Sequence, residues 1–174
     1  AGDRISTQTV TLDETMMKDF YKKFVISYDE VNGGFGLAPK FPPTMKLRLL
    51  LRIAQRTGDK HAIKMMDSTL KHMARGGIYD HLAGGFHRYS TDDIWLVPHF
   101  EKMLYDQGLL LRVYAELLRR GGDAGELVWP IRETVDYLRR EMTSPEGGFY
   151  ASQDADADGV EGAFHVWTPG QIET

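Results

Sequence analysis

The sequence predicts an all-α protein in which helical hairpins form a ring. Three observations predict this fold: a repeated Gly-Gly-Phe step, helices of two alternating kinds, and long polar loops at regular positions. The step begins at Gly33, Gly84 and Gly147, and its copies lie 51 and 63 residues apart. Spacings near the upper end of known repeat periods are typical of a two-helix unit that is stacked to bury a shared core.

The predicted helices differ in how much of their surface is apolar. The first kind has one apolar stripe, such as Met16, Phe20 and Phe24, and its other side is exposed to solvent. The second kind has apolar side chains on two faces and only a narrow polar arc, so it packs on two sides. One-sided helices are predicted over 12–28, 60–75 and 126–142, and two-sided helices over 45–56 and 99–120.

Outer and inner helices therefore alternate along the chain. Each long loop, over 29–43, 76–97 and 143–168, leads from an outer helix to an inner one, and Thr168 followed by proline opens a third inner helix. All three loops then lie at one end of the ring, at the N-termini of the inner helices. The partial positive charges of those helix ends favour a polar or anionic ligand at this mouth.

Composition excludes several classes of function. The chain has 174 residues, a formal net charge of -4 and no cysteine. No basic run is long enough to follow nucleic-acid phosphates, and no apolar stretch approaches the roughly 20 residues of a membrane span. Without cysteine, these residues carry no disulfide, thiolate metal site or thiol redox chemistry. A cytoplasmic protein that binds neither nucleic acid nor membrane is the default expectation.

The second long loop has an unusual density of polar and aromatic groups. Three of the six histidines, His81, His87 and His99, fall in or just after it. Long loops on rigid scaffolds are where binding residues concentrate. Its large aromatic residues also have a simpler interpretation, in which they pack the loop and bind nothing. They are Tyr79, Phe86 and Trp95.

Two polar residues are predicted on an apolar face of the second inner helix. His99 would open this helix and Asp106 would lie two turns further on. An unpaired charge there would be costly, so both need polar partners, either in a buried structural network or in a catalytic site. Glu101 and Tyr105 fall in the polar arc, where a surface role is favoured for Glu101 unless neighbouring hairpins cover it.

The third long loop predicts a small β-hairpin near 149–167. Apolar and polar residues alternate over 149–152 and 163–167, on either side of an acidic turn. The turn resembles the opening of a calcium-binding EF-hand loop, but its twelfth position is His165 and helices do not flank it. No metal ion or cofactor is therefore predicted, and the turn is expected to direct carboxylates towards the mouth. These carboxylates include Asp154 and Asp156.

Several long strings resemble the spermatogenesis-associated protein 20 family. They run over 33–42, 76–81, 84–90, 95–107 and 154–168. The resemblance implies an N-terminal thioredoxin-like domain, absent here, followed by an (α/α)6 barrel similar to N-acylglucosamine 2-epimerase and six-hairpin glycosidases. This chain would then supply about half of the toroid.

The resemblance divides the chain into three hairpins, roughly 12–56, 60–120 and 126–174. The later hairpins and the thioredoxin-like domain would lie outside this sequence. In the full-length protein, that upstream domain would be the partner of the barrel.

The resemblance implies a carbohydrate-binding or carbohydrate-active site at the loop-bearing mouth, with a sugar-like small molecule as ligand. Glycosidase-like chemistry needs a pair of carboxyl groups, one as acid and one as base. Epimerase-like chemistry would instead use paired histidines such as His81, His87 and His99. The alternatives are a non-catalytic scaffold that serves the thioredoxin-like domain, and a surface that binds a protein.

The candidate residues follow from these loops, and seven of them are expected to converge on one concavity. The catalytic candidates are Asp80, Glu101, Asp106 and Asp154. The candidates for substrate binding are His81, His87, Arg88, Tyr89, Trp95, His99, Lys102, Tyr105 and Asp156. Those expected to share the concavity are Asp80, His81, His87, Arg88, His99, Asp106 and Asp154.

Overall fold

The computed structural model describes residues 14–173, and helices form most of its regular structure. Residues 12 and 13 of the predicted first helix lie outside the described part. None of the described helices is long and apolar enough to cross a membrane. The helices are α1 (Glu14–Ser27), α2 (Thr44–Thr57), α3 (Lys60–Arg75), α4 (Leu104–Arg119), α5 (Ala124–Glu141) and α6 (Pro169–Ile172).

The helices pack in the pattern expected of successive hairpins. Helix α2 packs along α3, and α4 packs along α5. In addition α2 contacts α4, and α3 contacts α5, so that the two-sided helices are neighbours and the one-sided helices are neighbours. The core between them is fully buried and includes Leu47, Leu50, Met65, Met66, Leu110, Val113 and Leu127.

Local signals fix the helix ends in the short turns. Gly58 ends α2 in the left-handed conformation (φ 74°), which a residue without a Cβ adopts at little cost. The carboxylate of Asp59 then accepts hydrogen bonds from the first backbone N–H groups of α3. Asp123 caps α5 in the same way. Thr168 forms a capping box with Gln171 at the start of α6, where the sequence predicted a helix to open.

Three two-stranded antiparallel sheets lie in the long loops, and one of them corrects the predicted start of α4. Because Pro98–His99 and Lys102–Met103 pair as strands with other segments, the helix begins at Leu104 and the prediction that it begins at His99 was wrong. The pairs are β1 (Tyr89–Ser90) with β2 (Pro98–His99), β3 (Lys102–Met103) with β4 (Ser152–Gln153), and β5 (Asp156–Ala157) with β6 (Val160–Glu161).

The predicted hairpin in the third loop is present but shorter than expected. It comprises β5 and β6, joined by Asp158 and Gly159, which both have positive φ (54° and 78°). Such a two-residue turn matches the twist of the flanking strands. The expected pairing of 149–152 with 163–167 was wrong, because Ser152 and Gln153 pair with β3.

The three Gly-Gly-Phe steps form related turns, of which the third is one residue shorter than the first two. In each copy the phenylalanine forms a β-bridge with a residue near the end of the preceding helix, at Tyr28, Tyr79 and Thr143. The residue that follows each bridge closes the turn, because its N–H donates to the carbonyl oxygen of the second glycine. These closing residues are Asp29, Asp80 and Ser144, with N···O distances of 3.1, 2.9 and 2.7 Å.

An ion pair made by a buried lysine also recurs in the first two copies. The ammonium of Lys40 donates to Asp29 Oδ2 at 2.5 Å and to the carbonyl oxygen of the first glycine at 3.0 Å. Lys102 donates in the same way to Asp80 Oδ2 at 2.7 Å and to the equivalent glycine at 3.0 Å. Each ammonium lies over an aromatic ring, that of Trp95 or of Tyr137. The repeat therefore extends from the sequence step to side-chain contacts.

Candidate functional site

Loops two and three bring the predicted residues into two clusters rather than one. Two pairs of chain neighbours separate, because neighbouring side chains of a near-extended chain point to opposite sides. His87 and Lys102 lie on the side of Asp80, whereas their neighbours Arg88 and Glu101 lie on the side of Asp106. We call the first group, Asp80, His87, Lys102 and His165, the histidine pocket. The second group, Phe41, Arg88, Tyr89, His99, Glu101, Tyr105 and Asp106, is the arginine cluster.

The histidine pocket borders a cavity of 580 Å³. Asp80 and Lys102 are buried beside it as an ion pair. Burial by itself would raise the pKa of Asp80, but hydrogen bonds from the Ala83 N–H and from Lys102 outweigh burial and lower the pKa to about 2. Because Asp29 and Lys40 form the same pair in loop one, the arrangement favours a structural role for Asp80 and Lys102.

Two neutral imidazoles face each other in this pocket. Burial, helped by the nearby charge of Lys102, lowers the pKa of His87 to about 3 and also lowers the pKa of His165. The two rings are 5.0 Å apart and perpendicular, and His165 stacks on Phe100 at 4.9 Å. His87 Nδ1 lies 3.0 Å from the Phe100 carbonyl oxygen, to which it donates. Its Nε2 is therefore an acceptor.

The arginine cluster centres on an ion pair at the start of α4. Arg88 Nη1 donates to Asp106 Oδ2 at 3.2 Å, and Asp106 is only 5% exposed. Burial raises the pKa of Asp106 to about 6, against the opposing effect of Arg88 and with a further rise from the charge of Glu101. A buried carboxyl group with a raised pKa is a candidate proton donor.

Aromatic rings surround this ion pair. The guanidinium of Arg88 lies 5.0 Å from the centre of the Phe41 ring and 5.3 Å from that of Tyr105. Phe41 also contacts Tyr89, which stacks on His99 at 5.0 Å. Phe41 and Tyr105 are about half exposed, so their rings are available to a ligand. The sequence analysis did not select Phe41, although it lies in one of the strings that carry the family resemblance.

His99 has the polar partners that the sequence required, but on a strand rather than at a helix start. Its Nδ1 lies 2.5 Å from Glu161 Oε1, and its Nε2 lies 3.7 Å from Glu101 Oε2. Glu161 was not among the predicted residues, because the hairpin of loop three brings it to His99 across 62 positions of the chain.

Trp95, a predicted substrate-binding residue, is fully buried. Its ring packs against Gly34, its Nε1 donates to the Asn32 carbonyl oxygen at 2.9 Å, and Lys40 lies over it. A ring in this position is not accessible to a ligand, so Trp95 packs the loops, which was the simpler interpretation of the loop aromatics.

The remaining candidates lie away from the arginine cluster. His81 is exposed at the rim of the histidine pocket, with Nε2 3.0 Å from the Gly76 carbonyl oxygen. Asp154 and Asp156 are exposed in loop three, where Asp154 accepts a hydrogen bond from the Asp156 N–H. The seven residues that were expected to share one concavity are instead divided between the histidine pocket, the arginine cluster and the exposed part of loop three.

His165 is a pocket residue that the sequence analysis missed. Sequence reasoning considered it only as a poor twelfth ligand of a calcium loop. Its one favourable signal was its place in an aromatic stretch, between Phe164 and Trp167, both of which line the cavity.

Several solved structures similar in fold to this chain are sugar epimerases or isomerases. A sugar epimerase from a ruminal bacterium aligns with a TM-score of 0.64 and 13% identity, over 80% of this chain and 40% of that one. Cellobiose 2-epimerase from Bacillus thermoamylovorans also gives 0.64 and 13%, over 82% and 42%. A D-mannose isomerase gives 0.59 and 14%, over 90% and 41%. The chain thus has the fold of about half of an (α/α)6 barrel, as the sequence predicted.

Sequence relatives define the family. Spermatogenesis-associated protein 20 of Mus musculus is 41% identical over 185 residues, covering 99% of this chain and 22% of that protein. The Homo sapiens protein is 42% identical over 159 residues, covering 84% and 20%. The chain matches no family model. It belongs to the spermatogenesis-associated protein 20 family, as its sequence strings predicted, and it spans about a fifth of these relatives' length.

Proposed function

We propose that the arginine cluster is a carbohydrate-binding, carbohydrate-active site at the loop-bearing mouth of the barrel. The observation that carries this proposal is Asp106, a buried carboxyl group with a pKa raised to about 6 in the first turn of an inner helix. Arg88 orients it through a hydrogen bond. Half-exposed Phe41 and Tyr105 provide faces on which a sugar ring stacks.

The chemistry of the cluster suits proton transfer to or from a sugar oxygen. A carboxyl group with a pKa of about 6 can both donate a proton and take it back near neutral pH, because its pKa is close to that pH. Glu101 supplies a second carboxylate, whose charge is close enough to raise the pKa of Asp106. An acid and a carboxylate base are the two groups that glycosidase-like hydrolysis requires. An epimerase-like reaction at this site would use the same acid together with His99.

Replacing Asp106 with asparagine tests the proposal, because it keeps the shape and removes the charge. Sugar affinity, measured by titration with a panel of mono- and disaccharides, should fall at least about tenfold while the melting temperature is largely retained. The matched control is Asp93→Asn, which changes an exposed carboxylate of loop two and should leave affinity intact. Unchanged affinity with a loss of about 1–3 kcal/mol in unfolding free energy would make Asp106 purely structural.

The pH dependence of stability gives an independent test of the raised pKa. The folded protein binds a proton at Asp106 up to about pH 6, whereas the unfolded chain releases it near the ordinary value of 3.8. The free energy of unfolding therefore decreases as pH rises through this interval, by up to about 3 kcal/mol. The unfolding free energy of wild type relative to Asp106→Asn should decline by about 3 kcal/mol between pH 3 and pH 7. A constant difference would contradict the raised pKa.

The alternative is a non-catalytic module that serves a thioredoxin-like domain elsewhere in the protein. Wild-type protein that binds no sugar in the panel would favour it. The thioredoxin-like domain and a cytoplasmic location are proposals that rest on the family resemblance and on composition.

A further inference from the structure

The two imidazoles of the histidine pocket are not part of the repeated loop motif. Loop one forms the same carboxylate–ammonium pair between Asp29 and Lys40. There the residue after the phenylalanine, the place of His87, is Gly36, which is exposed and borders open space where a side chain would begin. The ion pair thus forms without imidazoles. It therefore does not explain why His87 and His165 lie beside the pair in loop two.

The carboxylate of Asp80 has one acceptor position left. Its Oδ1 accepts hydrogen bonds from the N–H groups of Leu82 and Ala83 at 3.0 and 2.9 Å, and its Oδ2 accepts one from Lys102 at 2.7 Å. An ionised carboxylate offers about four such positions. The remaining one is on Oδ2, the oxygen that lies 3.9 Å from His165 Nδ1.

His87 is oriented as metal-binding histidines are. Such a histidine donates one ring N–H to a carbonyl or carboxylate, which fixes the ring and leaves the other nitrogen as the ligand. His87 donates from Nδ1 to the Phe100 carbonyl oxygen, so that Nε2 is the ligand atom.

We propose that Asp80, His87 and His165 form a binding site for a divalent transition metal ion, with the fourth position open to the 580 Å³ cavity. One ligand atom from each residue lies within 4.8 Å of the other two. Tetrahedral bonds of about 2.0–2.2 Å require these atoms to approach further, and a turn of His165, which lies in a loop, brings them closer. Two imidazoles with one carboxylate select Zn²⁺ or Co²⁺ rather than Mg²⁺ or Ca²⁺.

Lys102 limits the affinity of this site. Its ammonium shares Asp80 Oδ2 and repels a cation bound there. The same ammonium holds the carboxylate in place, as hydrogen-bonding partners of metal ligands do. Removing the charge with Lys102→Met leaves Asp80 as a buried carboxylate that a metal ion can neutralise. Zn²⁺ should therefore raise the melting temperature of Lys102→Met more than that of wild type.

Isothermal titration calorimetry of the metal-free protein with Zn²⁺ alone tests the site without any sugar. We expect saturable binding of one ion per chain and a loss of at least about tenfold in affinity for His165→Ala. The matched control, His61→Ala, removes a surface imidazole of α3 and should bind as wild type does. Co²⁺ should give the visible absorption of a four-coordinate site in wild type and in the control.

Three results would overturn the site. They are the absence of saturable binding, equal affinity of wild type and His165→Ala, and equal loss of affinity in His61→Ala. A Zn²⁺-induced rise in melting temperature that is no larger in Lys102→Met than in wild type would also contradict it. None of these outcomes depends on whether Asp106 binds sugar, so the two proposals fail separately.

Discussion

Replacing Lys102 with methionine is expected to lower the free energy of unfolding by about 3–5 kcal/mol. The substitution leaves the carboxylate of Asp80 buried without its counter-ion, and the Gly84 carbonyl oxygen loses a donor. Methionine is close in length to lysine, so lost packing contributes little to the effect. Urea unfolding of both proteins, followed by circular dichroism, measures the change.

A partly exposed lysine on a helix provides the control for this prediction. Lys71 pairs with Asp67 one turn away on α3, with both side chains about a quarter exposed. Lys71→Met should cost at most about 1 kcal/mol. Adding Asp80→Asn to Lys102→Met should recover part of the loss, because the buried charge is then removed. A loss below about 1 kcal/mol for Lys102→Met would show that Asp80 tolerates burial alone.

Replacing Trp95 with alanine is expected to cost about 3–5 kcal/mol of stability and to leave sugar affinity unchanged. Trp95 is the largest fully buried side chain of the described residues, and its removal opens a cavity between loop one and loop two. Its backbone has a φ of 66°, a conformation that a bulky residue keeps only where the surroundings impose it. Thermal unfolding and sugar titration of the same variant measure both quantities.

An exposed tryptophan of loop three serves as the comparison. Trp167 is 57% exposed, so Trp167→Ala should change stability by less than about 1 kcal/mol. If Trp95→Ala had nearly wild-type stability and weakened sugar binding, Trp95 would be a substrate-binding residue after all.

The sequence predicted the helical framework because the signals for it are local. Apolar periodicity and Thr168 before proline each act within one or two turns of chain. The start of α4 was beyond such reasoning. Residues 98–103 have a helical pattern, but their backbone pairs with Tyr89 and with Gln153, about 10 and 50 positions away. Tertiary pairing overrides local preference there.

The sequence likewise indicated which residues are polar and concentrated in the loops, but not which of them meet. The repeated step identified the turns, and the geometry of the first two recurs because glycine permits the positive φ that both residues of the step adopt there. The division between His87 and Arg88 depends on which side of the chain faces Asp80, and the pairing of His87 with His165 joins two different loops. The sequence by itself therefore determined the hairpin repeat and the family. Only the tertiary structure decided the two clusters, since contacts between distant loops leave no periodic signal in the chain.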